Sequence, residues 1–388
     1  MSGIVLSASV RQNLLSLQST ADLLSTTQNR LATGNKVNSA LDNPTNFFTA
    51  QGLNNRASDI NNLLDSISNG VQVLQAANTG ITSMQKLVDT AKSIANQVLQ
   101  APAGYTTKST VSSSALAGTA ADLVDGTVLA ATDVLDIAAS AGHAAFSFTF
   151  TATTSLADLN TALAASDLSA SLDSTNQLVI TTTNDTASST IGAVTFTNTG
   201  TGTATFGAAG SAPVVDAASQ TIRSSLVKQY NDIVTQITTT SQDASFNGIN
   251  LLNGDDLKLT FNETGKSTLN VQGVVFNAAG LGLAPMVAGT DFLDNSSANA
   301  ALVKLSAASS TLRTQASSLG SNLSVVQIRQ DFNKNLINVL QTGASSLTLA
   351  DTNEEAANSQ ALSTRQSIAV SALALANQSQ QSVLQLLR

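Results

Sequence analysis

The sequence predicts an α+β protein: long α-helical coiled-coil domains formed by both termini, a small β-hairpin, and a β-rich insertion domain between the halves. Three observations predict this. Seven-residue apolar repeats occupy the first hundred residues and return near the C-terminal end. Strand-like alternation with Thr, Ser and Gly turns fills the middle third. The charge also divides along the same lines: residues 105–220 hold nine Asp against one Lys, a net of −8 that equals the net charge of the whole chain.

The first repeat steps by four and three through Val10, Leu14, Leu17, Ala21, Leu24, Gln28 and Leu31. The next pairs Ile60, Ile67, Leu74, Ile81, Val88 and Ala95 with Leu63, Gly70, Ala77, Met84, Ala91 and Val98, each three residues further on. Such a paired seam means a long helix packed lengthwise, about 60 Å at 1.5 Å per residue, rather than a short amphipathic helix of a compact bundle. Near the other end Leu305, Leu312, Leu319, Val326 and Leu340 share one repeat, interrupted by Asn333.

Between these, "AFSFTF" places Phe146, Phe148 and Phe150 on one strand face, "QLVITTT" and "AVTFTNT" read as further strands, and "SLADLNTALAAS" as a short helix. "SSLVKQYNDIVTQI" returns to helical spacing through Leu226, Tyr230, Ile233 and Ile237, and "DLKLTFNETGKSTLNVQGVVF" reads as a hairpin turning at "NETG". Pro44, Pro102, Pro213 and Pro285 all fall between these elements, where none interrupts a helix interior.

Composition narrows the function. Only 11% of residues are charged and 42% are hydrophobic, the reverse of a disordered chain. There is no Cys, so disulfides and thiolate chemistry are excluded. No basic stripe exists, which argues against a nucleic-acid partner. The N-terminus lacks a basic n-region and no apolar run suits a membrane span, so no membrane insertion is expected, and the chain is expected either to stay in the cytosol or to leave by a route that does not cleave a signal. No enzyme is expected either. The single His143 sits in "SAGHAAF" without a nucleophile-elbow motif and reads as an exposed loop residue. One histidine cannot make an HExxH metal site, so no catalytic, cofactor or metal residue is assigned. Glu354 and Glu355 read as helix-start chemistry rather than an acid pair. The sequons at Asn184 and Asn295 carry little specificity.

The last positions, Val383, Leu384, Leu386 and Leu387, put large aliphatic side chains where chains usually turn polar.

Three blocks carry a family resemblance. "TQNRLATGNKVNSALDNPTNFFTAQGLNNRASDI" resembles the flagellin block built around "RLSSGxRINSAxDD". "SFNGINLLNG" is similar to the family's "FNG" turn, and "ALALANQSQQSVLQLLR" to its C-terminal ending. The chain thus resembles a bacterial flagellin. "PTNFFTAQGL" departs toward the hook–filament junction proteins, while the "FNG" block and the "LLR" ending favour the filament subunit. A secreted coiled-coil surface protein is the other alternative.

The resemblance implies a subunit that polymerises into the extracellular filament used for motility, a homopolymer with other flagellin copies. It implies residues 1–45 and 346–388 as inner-tube helices (D0), 46–104 and 221–345 as the D1 domain, and 105–220 as the outer D2-like insert. Val10, Leu14, Leu17, Leu24 and Leu31 would face Ile368, Leu375, Val383, Leu384, Leu386 and Leu387 within and between subunits. It also implies an export chaperone, the type III flagellar export apparatus, and filament cap and junction proteins as partners. A toll-like flagellin receptor would meet "MQKLVDTAKSIAN". There Val88 stands where the family has an arginine, beside Asp89 and Lys92, so weak recognition is expected.

Overall fold

The computed structural model describes the backbone of residues 8–386 and the side chains of 8, 10–379, 381 and 382. In chain order the elements are α1 (Ala8–Thr33), α2 (Pro44–Gln100), β1 (Tyr105–Thr107), β2 (Thr110–Ala115), β3 (Val134–Ile137), β4 (Phe146–Thr149), α3 (Leu156–Leu163), β5 (Leu168–Leu172), β6 (Gln177–Thr182), β7 (Val194–Thr197), β8 (Val214–Val215), α4 (Ala217–Asp243), β9 (Leu257–Thr260), β10 (Thr268–Val271), α5 (Asn295–Thr348) and α6 (Thr352–Leu386). The α+β class follows directly. α4 begins at Ala217, inside the segment expected to end at 220. Two units form: Met1–Gly70 with Lys258–Leu269 and Val325–Arg388, and Val71–Leu257 with Asn270–Ser324.

In the first unit α1 packs along α6. Their ends are tied by main-chain bonds, Lys36 and Val37 N–H to the Thr348 carbonyl and Ala350 N–H to that of Gly34. Gly34 has φ of +70°, a conformation that costs glycine nothing and ends α1 cleanly. The start of α2 meets α5 through Ala57, Ile60, Ile337 and Leu340. β9 and β10 form the expected hairpin, closed by Phe261 N–H to the Ser267 carbonyl at 2.8 Å. Asn333, the one polar residue in the α5 repeat, is buried and donates through Nδ2 to the Phe261 carbonyl at 3.0 Å. The interruption in the repeat is therefore a bond that seats the hairpin. Gly70 serves the same seat by absence, since a Cβ there would lie 2.3 Å from Leu259 Cδ2.

In the second unit the α2 seam is sealed: Leu74, Ala77, Ile81, Met84, Val88, Ala91, Ala95 and Val98 are all buried. After α4 the "SFNG" stretch makes a two-residue turn, with Asn247 and Gly248 at φ of +50° and +81° and paired bonds between Phe246 and Ile249. Positive φ at both central residues is what Asn-Gly tolerates best. Asn250 then closes the end of α4, donating to the Ser241 and Gln242 carbonyls and accepting from Leu252 N–H.

The insert folds as two three-stranded antiparallel sheets, ordered β2–β6–β5 and β4–β3–β7. Leu123, Leu135, Phe150, Leu159 and Ile180 form its core with α3. A capping box of Ser155 and Asp158 starts α3. His143, expected as an exposed loop side chain, is instead buried, with Nδ1 2.9 Å from the Ser166 carbonyl.

Candidate functional site

The candidate site is the surface of the α1–α6 pair. On α1 the side chains covered within the chain include Val10, Asn13, Leu17, Thr20, Leu24 and Thr27 at three-four spacing, with Ala21 and Arg30 also partly covered. On α6 they are Glu355, Ser359, Leu362, Gln366, Ala369, Leu373 and Ala376, again a three-four repeat. Both inward faces are therefore mixed, with hydroxyls, amides and one carboxylate among modest apolar groups. Thr20 satisfies its hydroxyl on the Ser16 carbonyl at 2.8 Å, one turn back. Glu355 is buried and pairs with Arg30 at 3.2 Å, which links the first turn of α6 to the last turn of α1. Each charge also lies at the helix end whose dipole favours it. Asp351 starts α6 by accepting from Asn353 and Glu354 N–H.

Several large aliphatic residues point elsewhere. Leu15 and Leu23 on α1 are 63% and 52% exposed, and Ile368 and Leu375 on α6 are 63% and 69% exposed. The seam expected within and between copies therefore divides between covered and uncovered positions. Val10, Leu17 and Leu24 do turn inward, but Leu14 and Leu31 lie outward of it, displaced by the smaller Asn13, Thr20 and Thr27. Ile368 and Leu375 do not face α1 within one copy. A helix turns about 100° per residue, so one position's difference in register moves a leucine from the seam to its flank. The side chains of Val383, Leu384, Leu386 and Leu387 lie outside the described residues.

The turn leaving α1 is held by Asp42, whose Oδ2 accepts from Asn38 N–H at 3.0 Å, Ser39 N–H at 2.9 Å and Ser39 Oγ at 3.2 Å. The Ser39 and Asn38 N–H groups hold this carboxyl below its usual range. The "NSALDN" block is thus a self-closing turn delivering the chain to Pro44 at the first position of α2.

The stretch expected to meet the receptor lies on α2. Val88 is 0% exposed, an inward position of the α2 seam, and offers no contact surface. Asp89 is exposed and Lys92 half-buried, with Nζ 3.9 Å from the Asp89 carboxylate.

Two structural residue sets escaped the sequence reading. Arg223 is buried and, among the described residues, donates to neutral oxygens: Pro102, Phe292, Val98 and Ala101 carbonyls and Asn295 Oδ1. Burial pulls its pKa down, countered by the charge of Asp294. The second set is the insert's acid. Asp122, Asp125, Asp133, Asp158, Asp173 and Asp216 each accept a backbone N–H in a turn or helix start. Their Asx spacing to Gly, Thr and Ser was the available signal.

Among the described residues no helix is long and apolar enough to cross a membrane. Residues 5–125 match the bacterial flagellin N-terminal helical region, and residues 302–387 match the bacterial flagellin C-terminal helical region. Flagellin FljM of Caulobacter vibrioides is 32% identical over 165 residues, 42% of this chain and 59% of the relative. Flagellin FljK of the same organism is 31% identical over the same shares. Flagellin A of Rhizobium meliloti is 39% identical over 77 residues, 20% of each chain. The chain thus spans about three fifths of the length of the Caulobacter relatives it matches. The two family regions cover more than half of the chain, and they fall on the helices that build the α1–α6 pair and the long seams. The chain therefore belongs to the bacterial flagellin family.

Proposed function

We propose that this chain is a structural, non-enzymatic subunit that polymerises into an extracellular helical flagellar filament serving motility. The observation that carries the reading is the outward placement of Leu15, Leu23, Ile368 and Leu375 on a helix pair whose inward face is partly polar. Covering each large aliphatic side chain contributes about 1.5–3 kcal/mol. A mixed seam inside one copy and an apolar flank outside it together favour ordering against further copies. A heterologous contact that does not close into a ring extends as a helix.

In this reading residues 1–45 and 346–388 line the inner tube. Residues 46–104 and 221–345 make the surrounding domain, and 105–220 lies outermost. Export through the type III flagellar apparatus with a chaperone, and contact with cap and junction proteins, follow from the same role. Removal of Ser382–Arg388 tests it. The truncated chain is expected to keep the circular dichroism and melting of the second unit yet form no filaments by electron microscopy. Filaments of normal length from the truncated chain would overturn the assembly reading.

A further inference from the structure

The insert does not hang from α2 and α4 on two strands alone. Its two ends pair as β1 with β8, and a loop from its middle reaches a third point. The carbonyls of Asn184 and Asp185 accept from the N–H groups of Asn295 and Ser296 at 3.0 and 3.1 Å. These are the first residues of α5, whose leading N–H groups have no partner inside the helix. Ser188 Oγ donates to Asp294 Oδ2 at 2.6 Å, and Lys108 Nζ donates to Asn184 Oδ1 at 3.0 Å.

Around the same point Arg223 gathers the last carbonyls of α2, the Phe292 carbonyl and Asn295 Oδ1. Phe292 is held at φ of +59°, fully buried, with its ring 5.9 Å from that of Tyr230. A non-glycine residue at positive φ costs free energy and persists only where its surroundings fix it. Gly104, at the insert's first edge, has the Leu293 carbonyl 3.3 Å from where a Cβ would stand. Backbone, cation and ring therefore converge on one joint.

We propose that the 183–188 loop is a latch: it supplies the N-terminal cap of α5 and fixes the insert to the helical frame of its own unit as one rigid body. The cap comes from a segment more than a hundred residues earlier in the chain, so the helix start and the insert's orientation are set together. A consequence is that excising residues 105–220 removes the Asp216 cap of α4 and uncaps α5 as well, and does more than thin the surface.

The test compares two substitutions in the full chain. Asn295→Ala removes the side-chain bond to Arg223 and keeps the N–H. Asn295→Pro removes that side chain and the N–H to Asn184, at a first helical position that proline tolerates. Lys108 is the only basic residue between 105 and 220, so trypsin reports opening there by a single cut. Cleavage after Lys108 and amide exchange across 183–188 are expected to run about threefold to tenfold faster in Asn295→Pro than in Asn295→Ala, the range of one net hydrogen bond. Cleavage after Lys334 is the control for general loosening and is expected to stay equal in the two variants. Ser188→Ala, which leaves α5 untouched, is expected to shift the Lys108 cut in the same direction by a smaller factor. Equal rates after Lys108 in both Asn295 variants, or a matching rise at Lys334, would overturn the latch.

Discussion

Along α2 the repeat positions from Ile67 to Val98 are sealed within the chain, whereas on α1 and α6 Leu15, Leu23, Ile368 and Leu375 turn away from the partner helix. Both stretches obey a seven-residue spacing. In α2 the residues at those positions are Ile, Leu, Val, Met, Ala and one Gly, and burial is complete. In the α1–α6 pair the inward positions include Thr20, Thr27, Gln366 and the Arg30–Glu355 ion pair. A periodicity therefore says that a helix face is used, and the chemistry at its positions says whether one copy of the chain is enough. The α2 seam completes a fold. The terminal pair leaves apolar surface for a further partner.

Substitutions that exchange the two behaviours sharpen this contrast. The largest effect is expected from Val88→Arg, which places an unpaired charge at a fully buried position. The expected loss is about 3 kcal/mol or more in denaturant unfolding. A melting midpoint equal to the unmodified chain would mean that the seam opens there, and would restore Val88 as a surface residue.

The opposite result is expected from Ile368→Ala combined with Leu375→Ala. Both side chains are mostly exposed in one copy, so monomer stability should change by less than about 0.5 kcal/mol. The critical concentration for filament growth should rise about tenfold or more, because two aliphatic contacts between copies are lost. A large fall in monomer stability with unchanged assembly would place these residues inside the single-copy fold after all.

The smallest effect concerns the turn that joins the two kinds of helix. The Asp42 carboxyl is held below its usual range by the Ser39 and Asn38 N–H groups. A depressed carboxylate adds stability above its unfolded-state pKa and loses it as pH falls through the folded value. Asp42→Asn should therefore melt slightly earlier than the unmodified chain near neutral pH. The two curves should converge below about pH 3, under the usual carboxylate range. Parallel curves across that window would show that the turn does not depend on the charge.

Much of this was legible in the residues. The α2 repeat, the α5 repeat with its break at Asn333, the hairpin, the "FNG" turn and the short helix in the insert all follow from local spacing and turn chemistry. Local rules suffice because a 3.6- or 2-residue period and a capping side chain act within a few residues of each other. His143 misled for the complementary reason: its neighbours are small and carry no period, so nothing local reveals that it is buried.

By itself the sequence determined the helices, their apolar stripes, the strand segments and the family. Only the tertiary structure decided which flank of each stripe is covered. That outcome depends on the partner helix: Leu17 and Leu24 lie inside while Leu14 and Leu31 lie outside, although all four fit one repeat. It also decided that Asn333 seats a hairpin, that Arg223 collects carbonyls from distant segments, and that residues 184 and 185 cap a helix beginning at 295. Each of these joins groups far apart in the chain, and hydrogen-bond partners at that separation are chosen by packing, which no local pattern encodes.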